Sequence, residues 1–286
     1  MVSDLVAYVL TGLGVGAGYA LVGSGLVAIY RVTGVVNFAQ GAFAVVAAML
    51  TSTLLGVGLP HVLSEVASVI VAAGVGLLVG VVAIGKPGTE PGAALIITLG
   101  LGVFAYAVEI VLWGDQPRSF AGLPGVISVG GARVQAHYLL ILGVTVPVFA
   151  AMAAFFARTD LGKALTACAS NRYAARVVGI DVRGMGLLAF ALGGALGGLA
   201  GVLTTPVQQV TFDSDVTLIV NGFAAAVLGG LTRPFVALAG GLLLGVAQTL
   251  IAGYGGGAYQ LEVALLLMLT VMIVQATRAG AVREAT

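Results

Sequence analysis

Nine apolar, almost uncharged runs follow one another along the chain, over about 5–30, 33–52, 61–84, 92–113, 137–157, 186–206, 216–232, 235–252 and 259–277. Most approach the ~20 residues that a helix needs to cross ~30 Å of hydrocarbon. The pattern predicts an all-α, polytopic integral membrane protein with about 8–10 transmembrane helices. The first run is long enough to tilt or kink, and 216–232 is short for a full crossing. Between the fourth and fifth runs, GDQPRSFAGLPGVISVGGARVQA (114–136) is rich in Gly and Pro and reads as an exposed loop with a short hairpin. The opening MVSDLVAYVL lacks a basic start and a small-residue cleavage pattern, so the first run is expected to stay as a span.

Composition agrees with lipid as the solvent. Hydrophobic residues make up 60% of the 286 and charged residues 8%, with a mean hydropathy of +1.14. A soluble domain carries about 25% charged residues. The 44 glycines fit the same setting, because small residues let helix backbones approach in lipid. Gly193, Gly197 and Gly201, spaced by four, read as one packing face. The net charge of +1 gives no basis for nucleic-acid binding.

Charge is distributed unevenly. Arg158, Lys163, Arg172, Arg176 and Arg183 crowd one connection, which the positive-inside rule puts in the cytoplasm. Alternation then brings Arg31, Lys86, Arg233, Arg278 and Arg283 to the same side and leaves Arg118 and Arg133 outside. The expected arrangement is N-terminus out, C-terminus in. The ionisable residues that touch spans (Glu65, Glu109, Glu262, His61 and His137) fall near the outer ends and are expected to be solvated there. No charge stands at the centre of a run, which disfavours an intramembrane proton or sodium relay.

Candidate chemistry is sparse. Cys168 is the lone cysteine, which excludes an intrachain disulfide and a thiolate metal cluster. There is no HExxH motif, no serine-triad spacing and no GxxxxGK[ST] phosphate loop. Neither catalytic nor metal-ligating residues are expected, and energy for uphill transport would have to come from a partner chain.

Two segments are informative. TGVVNFAQGAFAV (33–45) places Asn37, Phe38, Gln40 and Gly41 deep in an apolar run. On a continuous helix the two amides share one face. A buried amide costs several kcal/mol unless bonded, so these either bond to neighbouring helices or line an aqueous route. Asn221 and Phe223, beside Gly222, form a possible counterpart in the second half. The other segment, RTDLGKALTACASNRYAARVVGIDVRG (158–184), predicts two short amphipathic helices. Leu161, Ala164, Leu165 and Cys168 make one apolar face, with Asp160 near the start. Ser170 or Asn171 caps the second helix, which carries Tyr173, Ala174, Val177 and Val178 on one side and ends at Gly179. Such a pair either lies on lipid headgroups or docks to a cytoplasmic partner.

A resemblance favours docking. GAGYALVGSGLVAIYRVTGVVNFAQGAF is similar to the opening GxxYALxALGLxLIYxVTGVxNFAHGE of the branched-chain amino acid ABC transporter permease family, the H-type subunit. The segment LGKALTACASNRYAARVVGIDV resembles that family's LGRAxRAxAxNxxAAxxxGI pattern through Leu161, Gly162, Ala164, Ala169, Asn171, Ala174, Ala175, Gly179 and Ile180, with Asp181 following. FAAAVLGGL (223–231) matches a third family segment. The pattern's His and Glu are Gln40 and Ala42 here, and its later Gly-Ser-x-x-Gly-Ala is Thr232-Arg233-Pro234-Phe235-Val236-Ala237.

The resemblance implies one permease domain over 1–286, with a cytoplasmic coupling loop at 158–185, in a multi-pass protein of the cytoplasmic (inner) membrane. It implies an ATP-driven, binding-protein-dependent importer for branched-chain or related amino acids, with urea, short amides or another small solute as alternatives and an ATP-independent transporter or channel as a rival. The implied partners are a second homologous permease subunit, two cytoplasmic ATP-binding subunits holding ATP and Mg, an extracytoplasmic solute-binding protein and the lipid bilayer. No cofactor is implied in this chain.

Overall fold

A computed structural model describes residues 2–85, 89–231, 233–255, 262 and 264–273. Helices α1 (Val2–Thr33), α2 (Gln40–Gly56), α3 (His61–Ile84) and α4 (Pro91–Trp113) precede a hairpin of β1 (Val126–Val129) and β2 (Ala132–Gln135). Then come α5 (Ala136–Arg158), α6 (Asp160–Ser170), α7 (Arg172–Val177), α8 (Val182–Thr204), α9 (Ser214–Leu228) and α10 (Pro234–Gly255). Six helices (α1, α3, α4, α5, α8 and α10) are long and apolar enough to cross a membrane. The helices α2 and α9 and a segment Ala264–Ile273 are apolar but shorter. Each of the nine predicted runs thus contains a helix, although the ninth lies partly outside the described residues.

Glycine sets how closely these helices meet. α1 packs along α10 through Gly12 and Gly16 against Gly241 and Gly245, where an added methyl would run into the opposite backbone. α8 does the same on two sides. Gly193, Gly197 and Gly201 face Ile29, Gln40, Phe43 and Ala44, while Gly194 and Gly198 face Ala72 of α3. The predicted four-residue glycine spacing is therefore a helix-packing face, and backbone contact replaces the hydrophobic drive that lipid does not provide.

One predicted boundary needs correction. The run 33–52 is not a helix from its start: α2 begins only at Gln40. Gly34 adopts a φ of +68°, and Thr33 Oγ1 accepts from Val35 N–H at 3.2 Å. Both features close α1, because a left-handed φ suits glycine and cannot continue an α-helix. Residues 35–37 are non-helical, so Asn37 and Gln40 do not share a helix face.

The predicted hairpin is present in the 114–136 loop, with Val126 opposite Gln135 and Gly130 and Gly131 both at positive φ in its turn. A backbone bridge ties Arg118 to Val210, joining this loop to the entry of α9. At the other end of the bundle, Arg31, Arg172, Arg176, Arg183 and Arg233 line two neighbouring cavities. Arg118 and Arg133 stand apart from these five, while Lys86, Arg278 and Arg283 of the predicted basic side lie outside the described residues.

Two of the outer-end residues are not solvated. Glu109 is completely buried on α4, and neither carboxyl oxygen has a hydrogen-bond partner among the described residues. His137 is 7% exposed; its Nδ1 accepts from Leu123 N–H at 3.0 Å and its Nε2 donates to the Leu203 carbonyl at 2.8 Å. Position near a helix end says nothing about what folds over it, and here the loop before the hairpin and the end of α8 cover His137. His61 and Glu262 are exposed and Glu65 is partly exposed, as expected.

Candidate functional site

The break between α1 and α2 is a bonded junction. Asn37 and Gln40 are both completely buried. Asn37 Oδ1 accepts from Ala39 N–H at 3.1 Å, and its Nδ2 donates to Gln40 Oε1 at 3.4 Å. Gln40 Nε2 donates to the carbonyl of Gly193 on α8 at 2.9 Å. A third polar residue completes the tie from α4: Thr98 Oγ1 accepts from Phe38 N–H at 3.3 Å. Irregular backbone inside a membrane protein is tolerated only where it is bonded or faces water, and side chains supply those bonds here.

Phe38 differs from its neighbours in being 37% exposed. Gly41 sits in the first turn of α2 against the backbone of Asp215, so α2 and α9 meet through their N-terminal turns. The junction therefore gathers Asn37, Phe38, Gln40 and Gly41 with Thr98, Gly193 and Asp215. The sequence points to Gly193 only as a packing residue and gives no sign of Thr98, since a threonine or a backbone carbonyl in an apolar run carries no signal until its neighbour is known.

Asn221 belongs to a different bonded pair. Its Nδ2 donates to Thr217 O at 2.9 Å, and its Oδ1 accepts from Gln248 Nε2 at 2.7 Å. It lies within α9 rather than at a break, so its surroundings differ from those of Asn37. Phe223 packs with Leu26, Val27, Ala226 and Ala237, a cluster that Val36 of the broken segment also joins.

The basic connection folds as predicted into two short helices, α6 and α7. Thr159 caps α6 by accepting from Gly162 N–H at 3.0 Å, and Asn171 caps α7 by accepting from Ala174 N–H at 3.0 Å. Gly179 has a φ of +88°, with Gly179 N–H donating to Arg176 O and Ile180 N–H to Ala175 O, both at 3.0 Å. These two bonds are a Schellman ending, which makes Gly179 the C-terminal cap. Asp181 then caps α8 by accepting from Arg183 N–H at 3.1 Å.

The buried face differs from the expected one. Gly162, Leu165, Cys168 and Ala175 turn inward, with Ala164 half-buried; Leu165, Cys168 and Ala175 cluster with Val32 and Ala189, and Ile180 packs at their edge. Ala174 is exposed, and Leu161, Tyr173, Val177 and Val178 project outward at 51%, 78%, 69% and 75% exposure. Gly162 lies against Phe155 and Phe156, so the turn from α5 into α6 is tight, and α6 rolls Leu161 away. Burial pushes the Cys168 thiol up; Arg172 opposes that shift and Asp181 adds to it.

A bundle of apolar helices, a bonded helix break and two short helices at its basic end define a polytopic membrane permease. The chain matches the family described as branched-chain amino acid transport system / permease component over residues 8–276, and it belongs to that family. It is 30% identical to the high-affinity branched-chain amino acid transport system permease protein BraD of Pseudomonas aeruginosa, across 94% of this chain and 93% of that relative. To the permease protein LivH of Escherichia coli it is 27% identical, over 93% and 92% of the two chains. Its fold is shared, at a TM-score of 0.54 and 12% identity, by a chain of PsaBC from Streptococcus pneumoniae in complex with Fab, with 95% of each chain covered.

Proposed function

We propose that this chain is one of two transmembrane subunits of an ATP-driven, binding-protein-dependent importer of branched-chain or related amino acids in the cytoplasmic membrane. The observation that carries this reading is the α6–α7 element. It is anchored by its small inward face, capped at both helices, and presents Leu161, Tyr173, Val177 and Val178 outward beside arginines. An apolar patch rimmed by charge suits a protein partner better than water. The sequence carries no phosphate loop of its own, so the partners are two cytoplasmic ATP-binding subunits holding ATP and Mg. A second permease chain and an extracytoplasmic solute-binding protein complete the assembly.

In this reading ATP binding draws the two ATPases together and pulls on 158–185. α6 is packed against Val32 near the end of α1 and against Ala189 of α8, so the pull reaches both helices that hold the break. Asn37, Phe38, Gln40 and Gly41, with Asn221 and Phe223, are the pathway candidates. The N-terminus lies outside and the C-terminus inside. The assembled complex in proteoliposomes should take up labelled leucine only when ATP is enclosed with the ATPases and the solute-binding protein is on the opposite side. Uptake by this chain alone, without ATPases, would replace this reading with a channel or secondary transporter.

A further inference from the structure

Three arginines from separate parts of the chain meet at one cavity. Arg31 lies in the last turn of α1, Arg172 opens α7 and Arg233 precedes α10. With Tyr30, Gly34, Ala169 and Leu231 they line a space of about 530 Å³. Small-ligand sites occupy roughly 300–1,000 Å³. Among the described residues no carboxylate lines this cavity. Asp181 lines the adjoining cavity with Arg172 and accepts from Arg183 N–H as the cap of α8.

Local backbone makes room for the Arg172 guanidinium and sets the approach to Arg233. A Cβ on Gly34 would stand 2.7 Å from an Arg172 guanidinium nitrogen, so the bare backbone makes room for it. Leu231 holds a φ of +55°, with its N–H donating to Ala226 O at 2.9 Å, and this turn carries the chain to Arg233. Like charges collected in this way repel until an anion sits among them. Guanidinium is also the side-chain group that matches phosphate oxygens in a two-pronged geometry. Exposed Phe235 and Val236 follow almost directly, so apolar surface adjoins the charged space.

We propose that Arg31, Arg172 and Arg233 form a binding site for a phosphate-bearing anion, supplied by an anionic phospholipid headgroup or by free phosphate. The full-length chain, purified with its accompanying subunits, is titrated with phosphatidylglycerol and with phosphatidylcholine, and retained lipid is read by native mass spectrometry. A parallel titration with inorganic phosphate is read by thermal shift. Arg31→Gln with Arg233→Gln should weaken binding about thirtyfold, at about fivefold per arginine. Arg233→Gln alone, an exposed loop change that keeps the fold, should weaken it about fivefold. Arg133→Gln, in the hairpin at the other end, should change nothing. Arginine-dependent retention of phosphatidylglycerol assigns the site to lipid, and an arginine-dependent response to phosphate alone assigns it to the free anion. Binding that is absent, or equal in wild type and both Arg233 variants, overturns the proposal.

Discussion

The side-chain amide of Gln40 donates to the carbonyl of Gly193 at the middle of α8, 153 residues further along the chain. The contact depends on a missing side chain opposite it, since a Cβ on Gly25 would lie 2.6 Å from the same Gln40 nitrogen. α1, α2 and α8 are therefore joined at one point.

Gln40→Leu removes that donor and leaves the Gly193 carbonyl to its own helix. An interhelical hydrogen bond of this kind contributes about 1 kcal/mol. The variant should assemble, melt a few degrees lower and transport more slowly. Gln40→Met, which keeps a similar length and loses the donor, should behave alike. Unchanged melting and uptake in both would mean that the bond neither holds the junction nor serves the route.

Glycines that touch backbone should be far less replaceable than those that face open space. Gly201→Leu should prevent assembly, because even a methyl there would overlap the Ala44 carbonyl. Gly100→Ala has nothing near its added methyl and should be neutral or stabilise α4 by up to about 1 kcal/mol. Size-exclusion profiles and thermal melts of the two variants check the contrast.

What the sequence makes legible follows from the range of the interaction. α3 occupies 61–84 as predicted, because Pro60, a long apolar run and Gly85 mark it locally. The two capped helices of the basic connection were equally legible from Asn171 and Gly179. The break at Gly34 was not, since apolar residues flank it on both sides and its partners, Thr98 and Gly193, are remote in sequence. Burial of Glu109 and His137 depends on other elements covering them. The outward turn of Leu161 depends on how tightly α6 follows α5, which Gly162 decides through contact with Phe155 and Phe156.

Glu109 tests the burial directly. A buried carboxylate without a partner costs more than an apolar side chain of similar size. Glu109→Leu should therefore raise the melting temperature of the purified protein. A marked fall would mean that this carboxyl group is bonded in the purified protein and would contradict the reading.

Orientation is tested by labelling with a membrane-impermeant maleimide. Ser119→Cys, exposed beside the hairpin loop, should react in intact cells, whereas Tyr173→Cys should react only after permeabilisation. Cys168 should react slowly in both conditions, being buried with its thiol pushed up by that burial. Reversal of the first two results would invert the topology.

The central claim is that α6 and α7 transmit ATP-driven motion to the bundle. Tyr173 and Val177 are 78% and 69% exposed, so Tyr173→Asp with Val177→Asp removes no buried contact within this chain. The decisive measurement is solute-stimulated ATP hydrolysis by the reconstituted complex carrying this double variant. The coupling account predicts that stimulation is lost while the permease chain remains folded and inserted. Stimulation at the wild-type level would contradict it.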